Sequence, residues 1–306
     1  MSRAFFIVGP TATGKSEIAA EIAQRLNAEV ISADAFQIYR GLDRLTAKPD
    51  HATLAKAPHH LLSVVPLSEE MNVEKFRAAA LGAIQDIQAR GKHAIVAGGS
   101  GLYVKALTHG LARLPVANDA LREELGRATI EELHARLHTL DPEGAERIDR
   151  KNKRRLVRAV EVCLLTGRPF SAQRREWNTT AAPPPVANGV FVFRERAELY
   201  ERIDRRVDKM FAEGVAEEVR ALRDLGSTAA KALGLREIQA LLGGGLSEPE
   251  CIAKIQQATR RYAKRQLTWF QRQSNFEPLN LSLHGPSEAT ELIAQRARLA
   301  FSQMDD

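Results

Sequence analysis

A chain of 306 residues, 44% hydrophobic and 27% charged, can bury a full core in one large domain or two smaller ones, which excludes a mini-protein held together by disulfides. No apolar run approaches the roughly 20 residues that span a bilayer, and the N-terminus enters a strand with no basic segment or cleavage site ahead of it; a cytoplasmic protein is the expectation. Cys163 and Cys251 stand far apart with no CxxC or Cys/His spacing, so two packed thiols are expected rather than a zinc site or a disulfide framework. The net charge is only +6, but residues 149–175 carry +7 and residues 254–272 carry +6 with no acid, which leaves the rest of the chain acidic. Two concentrated basic segments are the footprint of a polyanion partner, against the plainer reading of solvated helix faces.

In chain order, the apolar run Ala4 to Val8 predicts a buried strand, followed at once by GPTATGKS, Gly9 to Ser16. That spacing, between a strand and the amphipathic run SEIAAEIAQRL, is a phosphate-binding loop. Glycines at 9 and 14 allow a tight turn that aims backbone N–H groups at phosphate oxygens, Lys15 adds charge, the Ser16 hydroxyl is a Mg²⁺ ligand, and the following helix contributes its positive end. Ala28 to Asp34 predicts a second strand that ends on a carboxylate, and Leu61 to Val65 a third. Apolar residues at helical spacing run from Val73 to a stop at Gly91, and Lys92 to Gly99 reads as a buried strand entering a glycine-rich turn.

From about Pro115 the pattern changes to helices over 118–175, including LREELGRATIEELHARLHTL and RRLVRAVEVCLLTG. Thr179 to Gly189, with three consecutive prolines, predicts a linker, after which GVFVF resumes a strand and two long amphipathic stretches, 197–222 and 248–273, read as helices. Strands alternating with helices imply a doubly wound parallel α/β sheet of the P-loop NTPase kind. Its expected core is 1–115 with 189–306, and its helical insertion 116–188.

Ligands of open α/β sheets bind at the carboxyl ends of strands, so Gly9 to Ser16, Asp34 and Gly98 to Gly101 are expected to converge on one crevice. The strand 92–99 ends in glycines where a nucleotide hydrolase carries an Asp, which makes Asp34 the candidate general base or metal ligand, or else a turn aspartate. His134 and His138 stand four apart on a predicted helix, but HARLH lacks the glutamate of H-E-x-x-H and a third ligand, so packing is the favoured role; His59 and His60 offer no more. Trp177, Trp269 and Phe270 are candidates for stacking on bases or for the core.

These blocks, GPTATGKS, ISADAFQIYRGLDRLTAKP, VAGGSGLYVKAL, KRRLVRAVEVCLLTGRPFS, ELYERIDRRVDKMFAEG, KALGLRE and TRRYAKRQLTWF, together resemble the tRNA dimethylallyltransferase (tRNA isopentenyltransferase) family, in the family's order from Gly9 to about Phe270. The resemblance implies transfer of a dimethylallyl group from dimethylallyl diphosphate to N6 of the adenosine at position 37, beside the anticodon, in tRNAs reading codons that begin with U. It implies Asp34 as catalytic base, with Thr13 and Lys15 at the reacting diphosphate. Gly9, Thr11, Ala12, Thr13, Gly14, Lys15 and Ser16 would hold that diphosphate, with Mg²⁺ at Ser16. Asp34, Ala35, Phe36, Gln37, Ser100, Arg122, Arg154, Arg155 and Arg158 are the implied tRNA contacts, the last three and Arg122 lying in the insertion that would grip the anticodon stem-loop while the target base is flipped out. The family's GTAKP reads LTAKP here, Arg154 stands where glutamine is usual and Ser100 where threonine is. A monomer is expected.

The residues alone leave competing readings: a small-molecule kinase with ATP in the loop, an RNA-binding ATPase, or a prenyltransferase acting on free adenine nucleotides. Only the basic insertion separates the last of these from a tRNA enzyme.

Overall fold

Phe5–Val8 (β1) is buried on both faces, and its side chains alternate between two cores, Phe6 and Val8 on one side, Phe5 and Ile7 on the other. The structure, a computed structural model, describes residues 4–112, 114–180, 188–273 and 276–305, without the side chains of 176–180, 273 and 305. The chain divides into two compact units, 1–108 with 185–306, and 109–184.

In the larger unit β1 pairs in parallel with β4 (His93–Gly98) and β5 (Gly189–Phe193), β4 with β2 (Ala28–Ser32), β2 with β3 (His59–His60), and β5 with β6 (Glu277–Asn280). The order β3-β2-β4-β1-β5-β6 is all parallel, as expected of a doubly wound sheet, and β1 stands inside it. One face is covered by α1 (Lys15–Arg25) and the C-terminal α14 (Pro286–Asp305), where Ile18 and Ile22 pack with Ile293, Ala297 and Phe301. A one-turn helix α2 (His51–Leu54), capped by Asp50, lies between β2 and β3. The other face carries α3 (Val73–Ala89) and α4 (Gly101–His109), packed through Phe76, Ile84, Tyr103 and Leu107.

The predicted strand Leu61 to Val65 does not form. The ladder stops after His60, because Leu61 and Ser63 take left-handed φ of 57° and 54°, which a paired strand does not accommodate. Only Val65 returns, as an isolated parallel bridge to Tyr39.

The smaller unit contains five helices among its described residues: α5 (Asp119–Arg127), α6 (Ile130–Leu140), α7 (Pro142–Arg147), α8 (Lys153–Thr166) and α9 (Phe170–Thr180). The long predicted run splits at Thr129, which caps α6 in a reciprocal box with Glu132. Leu125, Leu133, Leu137, Leu156, Ala159, Val160 and Cys163 form its own core. Much of the predicted proline linker, 181–187, lies outside the described residues.

Back in the larger unit, α10 (Arg196–Ala212) and α11 (Val215–Ala221) are separated by a left-handed Gly214, and are followed by α12 (Leu235–Leu242) and the 26-residue α13 (Glu248–Gln273). Val207, Val219, Ile238, Cys251, Ile255 and Phe270 carry these helices onto the sheet. Cys163 and Cys251 are both buried free thiols.

Candidate active site and basic surfaces

At the carboxyl end of β1 the chain must turn under β5. A Cβ at Gly9 would collide with the Val192 carbonyl, so only glycine fits there. Ala12 and Gly14 then take left-handed φ of 65° and 93°, and α1 starts at Lys15. The buried Thr13 hydroxyl donates to the Pro10 carbonyl at 3.0 Å, so it braces the loop from within. Lys15 Nζ donates to the same carbonyl, also at 3.0 Å. Burial pushes the Lys15 ammonium down to about 8, partly offset by the charge of Asp34 and reinforced by that of Arg206. Ser16 is half-buried in the first turn of α1.

Asp34 follows β2, two residues beyond its last paired position. Its Oδ1 accepts from the N–H groups of Phe36 at 2.9 Å and Gln37 at 3.3 Å, so the turn aspartate and the candidate base are one residue, with Oδ2 outside the turn's hydrogen bonds. Its charge is felt by Lys15, Arg206 and Tyr262. Ala35 and Phe36 pack at the edge of the core. The Gln37 amide is committed within the loop: Oε1 accepts from Ser32 and Nε2 donates to the carbonyls of Thr46 and Ala47. Glu218 of α11 accepts from the N–H groups of Asp43, Arg44 and Leu45 at 2.8–3.0 Å. Lys48 reaches Tyr39 O, Asp43 and Ser63. The segment after Asp34 is thereby held at several points.

Ser100 joins the same crevice. Its N–H donates to Ala33 O at 3.2 Å, and its Oγ accepts from Ala35 N at 3.1 Å, one contact on each side of Asp34. The glycines around it are there for close approach: a Cβ at Gly98 would meet Ala33 O, at Gly99 the Gln266 amide, and at Gly101 the ring of Trp269. Of the stacking candidates, Phe270 is core, stacked on Phe191 at 5.5 Å, Trp269 is half-buried against its edge, and Trp177 lies outside the described side chains.

Three arginines not singled out from sequence close on the loop from one side. Arg194 Nε donates to Thr13 O at 2.9 Å, Arg202 Nε to Ala12 O at 2.8 Å, and Arg206 Nη2 to Thr11 Oγ1 at 2.7 Å. Arg206 has its Nε buried without a partner, and burial lowers its pKa against the opposing charge of Asp34. A guanidinium with an unused donor beside Lys15 and a phosphate loop is an anion ligand in the making. The available signal was the spacing of 202 and 206, one turn apart on a helix.

His134 Nε2 bonds the Ala145 carbonyl at 3.1 Å, His138 is exposed, and among the described residues no group of three acids, histidines or cysteines could hold a metal ion. A cation at the loop would rest on the Ser16 hydroxyl and on oxygens of a bound phosphate, a donor set suited to Mg²⁺, which keeps several waters and takes few protein ligands.

Two surfaces are basic. Along α13 the exposed Arg261, Lys264, Arg265 and Arg272 include three that line, with Thr268 and Trp269, a groove of about 360 Å³. In the smaller unit Arg154 and Arg155 are exposed, while Arg122 and Arg158 are turned onto Glu161, which is fully buried. Burial pushes the Glu161 carboxyl up, but bonds from Arg158, Asn118 N and Arg122 outweigh it, and its pKa is lowered. Two of the four arginines expected to meet RNA are therefore engaged inside the fold, sharing one carboxylate.

The IPP transferase family profile matches residues 37–273. The chain is 42% identical over 291 residues to a tRNA dimethylallyltransferase of Akkermansia muciniphila, covering 95% of this chain and 97% of that one. Among solved structures it is similar to the full-length tRNA isopentenylpyrophosphate transferase of Bacillus halodurans, at 34% identity and a TM-score of 0.70 over 100% of both chains. It is also similar to the tRNA delta(2)-isopentenylpyrophosphate transferase of Staphylococcus epidermidis, at 31% identity and a TM-score of 0.69, covering 97% of this chain and 99% of that one. A phosphate loop facing a carboxylate on a parallel sheet, a separate helical unit and similarity over nearly the whole length agree: the chain belongs to the IPP transferase family, the prenyltransferases that act on tRNA.

Proposed function

We propose that this protein transfers the dimethylallyl group of dimethylallyl diphosphate to N6 of adenosine 37, next to the anticodon, in tRNAs reading codons that begin with U, giving N6-isopentenyladenosine. The observation that carries the reading is the meeting of a phosphate loop, Lys15 and Arg206 with the carboxylate of Asp34. The allylic C–O bond breaks and negative charge grows on diphosphate, where Lys15, Arg206 and the loop N–H groups stabilise it. The N6–C bond forms, and Asp34 takes the N6 proton. The adenine amine is a poor nucleophile, so a base placed at that proton contributes about 10²–10⁴-fold. Bound at Ser16 and the diphosphate, Mg²⁺ would neutralise the leaving group's charge.

Arg154 and Arg155 of the smaller unit, and the exposed cations of α13, are the groups that would follow the phosphates of the anticodon arm. In the same reading the enzyme acts in the cytoplasm, where its substrate tRNA is; among the described residues no helix is long and apolar enough to cross a membrane.

The test is incubation of the protein with labelled dimethylallyl diphosphate and Mg²⁺ in three parallel reactions, with unmodified tRNA, with AMP and with tRNA plus EDTA, followed by nucleoside analysis. Label in N6-isopentenyladenosine from tRNA alone, abolished by EDTA, is the expected result. Label in AMP would reassign the substrate to free nucleotides, and label in neither tRNA nor AMP would overturn the prenyl-transfer reading.

A further inference from the structure

Gln266 of α13 is 95% buried, so its amide must find its partners inside the fold. Its Oε1 accepts from Thr11 N at 2.9 Å, and its Nε2 donates to Gly99 O at 2.9 Å. One side chain thus joins the phosphate loop to the turn after β4. That turn in turn holds both neighbours of Asp34, through Ser100 N on Ala33 O and Ser100 Oγ on Ala35 N. A Cβ at Gly99 would meet both the Gln266 amide and the Gly9 carbonyl, so glycine lets the amide approach this turn. One turn earlier on the same helix, Tyr262 lies beside Ser100, so α13 meets this network twice.

From this connectivity we propose that Gln266 is a positioning residue that sets the separation between the diphosphate-holding loop and the Asp34 loop, and so the alignment of leaving group, allylic carbon and N6 proton. The inference rests on the reaction proposed above. The β1–β4 ladder ends at Val8 with Gly98, and one more backbone bond, Gly9 N to Gly98 O at 3.2 Å, links the strand ends. Beyond that point the phosphate loop reaches the Asp34 side of the crevice through Gln266. Each substrate has its own binding groups, so loosening the link should leave both affinities nearly intact and damage the step that needs both halves in register, where a misplacement of about 1 Å can cost about 10²-fold.

Two variants test it in the full-length protein. Gln266→Met keeps volume and loses both bonds; Gln266→Glu keeps shape and the Thr11 contact but sets a second acceptor against Gly99 O, and it serves where the methionine variant folds poorly. The expected result is kcat lowered at least about tenfold in both, with KM for tRNA and for dimethylallyl diphosphate within about threefold of wild type. Hydrogen exchange supplies a readout that core packing alone would not move: in the methionine variant, peptides spanning 9–16 and 33–37 should both exchange faster, since each loses the other's support. Wild-type kcat in both variants, or faster exchange confined to 9–16, would overturn the inference. If the wild-type protein transfers no prenyl group at all, the reaction reading falls, and coupled exchange of the two peptides still decides whether Gln266 links the loops.

Discussion

Burial pushes the Lys15 ammonium down to about 8, with the charge of Asp34 opposing the shift and that of Arg206 adding to it, and in the proposed reaction a bound diphosphate must have it protonated. The free protein therefore offers its full diphosphate affinity below that pH and loses it above. With a pKa of about 8 the ammonium is protonated in about nine-tenths of molecules at pH 7, half at pH 8 and one-tenth at pH 9. The Kd of dimethylallyl diphosphate for the tRNA-free enzyme, at constant Mg²⁺, should rise about tenfold between pH 7 and pH 9, which is about 1.4 kcal/mol. Calorimetry in buffers of different ionisation enthalpy should show about half a proton taken up per diphosphate bound at pH 8, because the polyanionic neighbour raises the Lys15 pKa in the complex. Lys15→Arg keeps its charge across this range and should give a flat profile with no proton uptake; Lys15→Ala should bind donor weakly at every pH and turn over slowly, since its charge serves ground and transition states alike. A flat wild-type profile, or an arginine variant that follows wild type, would refute the assignment of Lys15 to the diphosphate.

Asp34→Asn retains an oxygen to accept from Phe36 and Gln37 and so keeps the turn, but it removes the base; kcat should fall at least about 10²-fold with tRNA affinity unchanged, as measured by single-turnover transfer and filter binding. Replacing Arg154 and Arg155 together with Gln should flatten the slope of log K for tRNA against log salt by about 1.4 to 1.8 and leave urea stability alone. Arg158→Gln should do the reverse, with an unchanged salt slope and a loss of about 1.5–3 kcal/mol in urea melts, because its charge already belongs to the buried Glu161. Glu29, buried under Arg90, Lys92 and His60, has its carboxyl held far below the usual range, chiefly by Arg90. Its contribution to stability is present above the unfolded carboxylate pKa of about 4.3 and fades below it, so urea stability measured from pH 5 down to pH 3 should fall less steeply in Glu29→Gln than in wild type.

The strands of the sheet's interior could be read from sequence because they are buried on both faces, which makes them unbroken apolar runs: FFIV, AEVIS, HAIVAG and GVFVF each appear where expected. Leu61 to Val65 is equally apolar and is not a strand. What decides it is the left-handed backbone at Leu61 and Ser63, together with contacts from Gln37 and Lys48 that no local pattern encodes. Charge shows the same division. A count along 149–175 is correct as a sum, yet Glu161 lies inside that segment and takes two of the available guanidinium groups, Arg158 from its own helix and Arg122 from α5.

Arg194, Arg202 and Arg206 fail to stand out for the converse reason. In sequence Arg202 and Arg206 belong to an ordinary amphipathic helix and Arg194 to the short link before it, and only the fold brings them against a loop 181–195 residues earlier. The glycines from 98 to 101 carry the argument furthest. As a run they announce that something approaches the backbone closely, and a phosphate is the natural guess beside a phosphate loop. In the structure the approaching groups are protein: the Ala33 carbonyl, the Gln266 amide and the Trp269 ring. Those three contacts tie α13 and the Asp34 loop to the turn after β4. A glycine-rich turn at the end of a strand thus serves as the joint of the crevice, and under the proposed function the anion-binding work would fall to the loop after β1 and to Arg206 of α10.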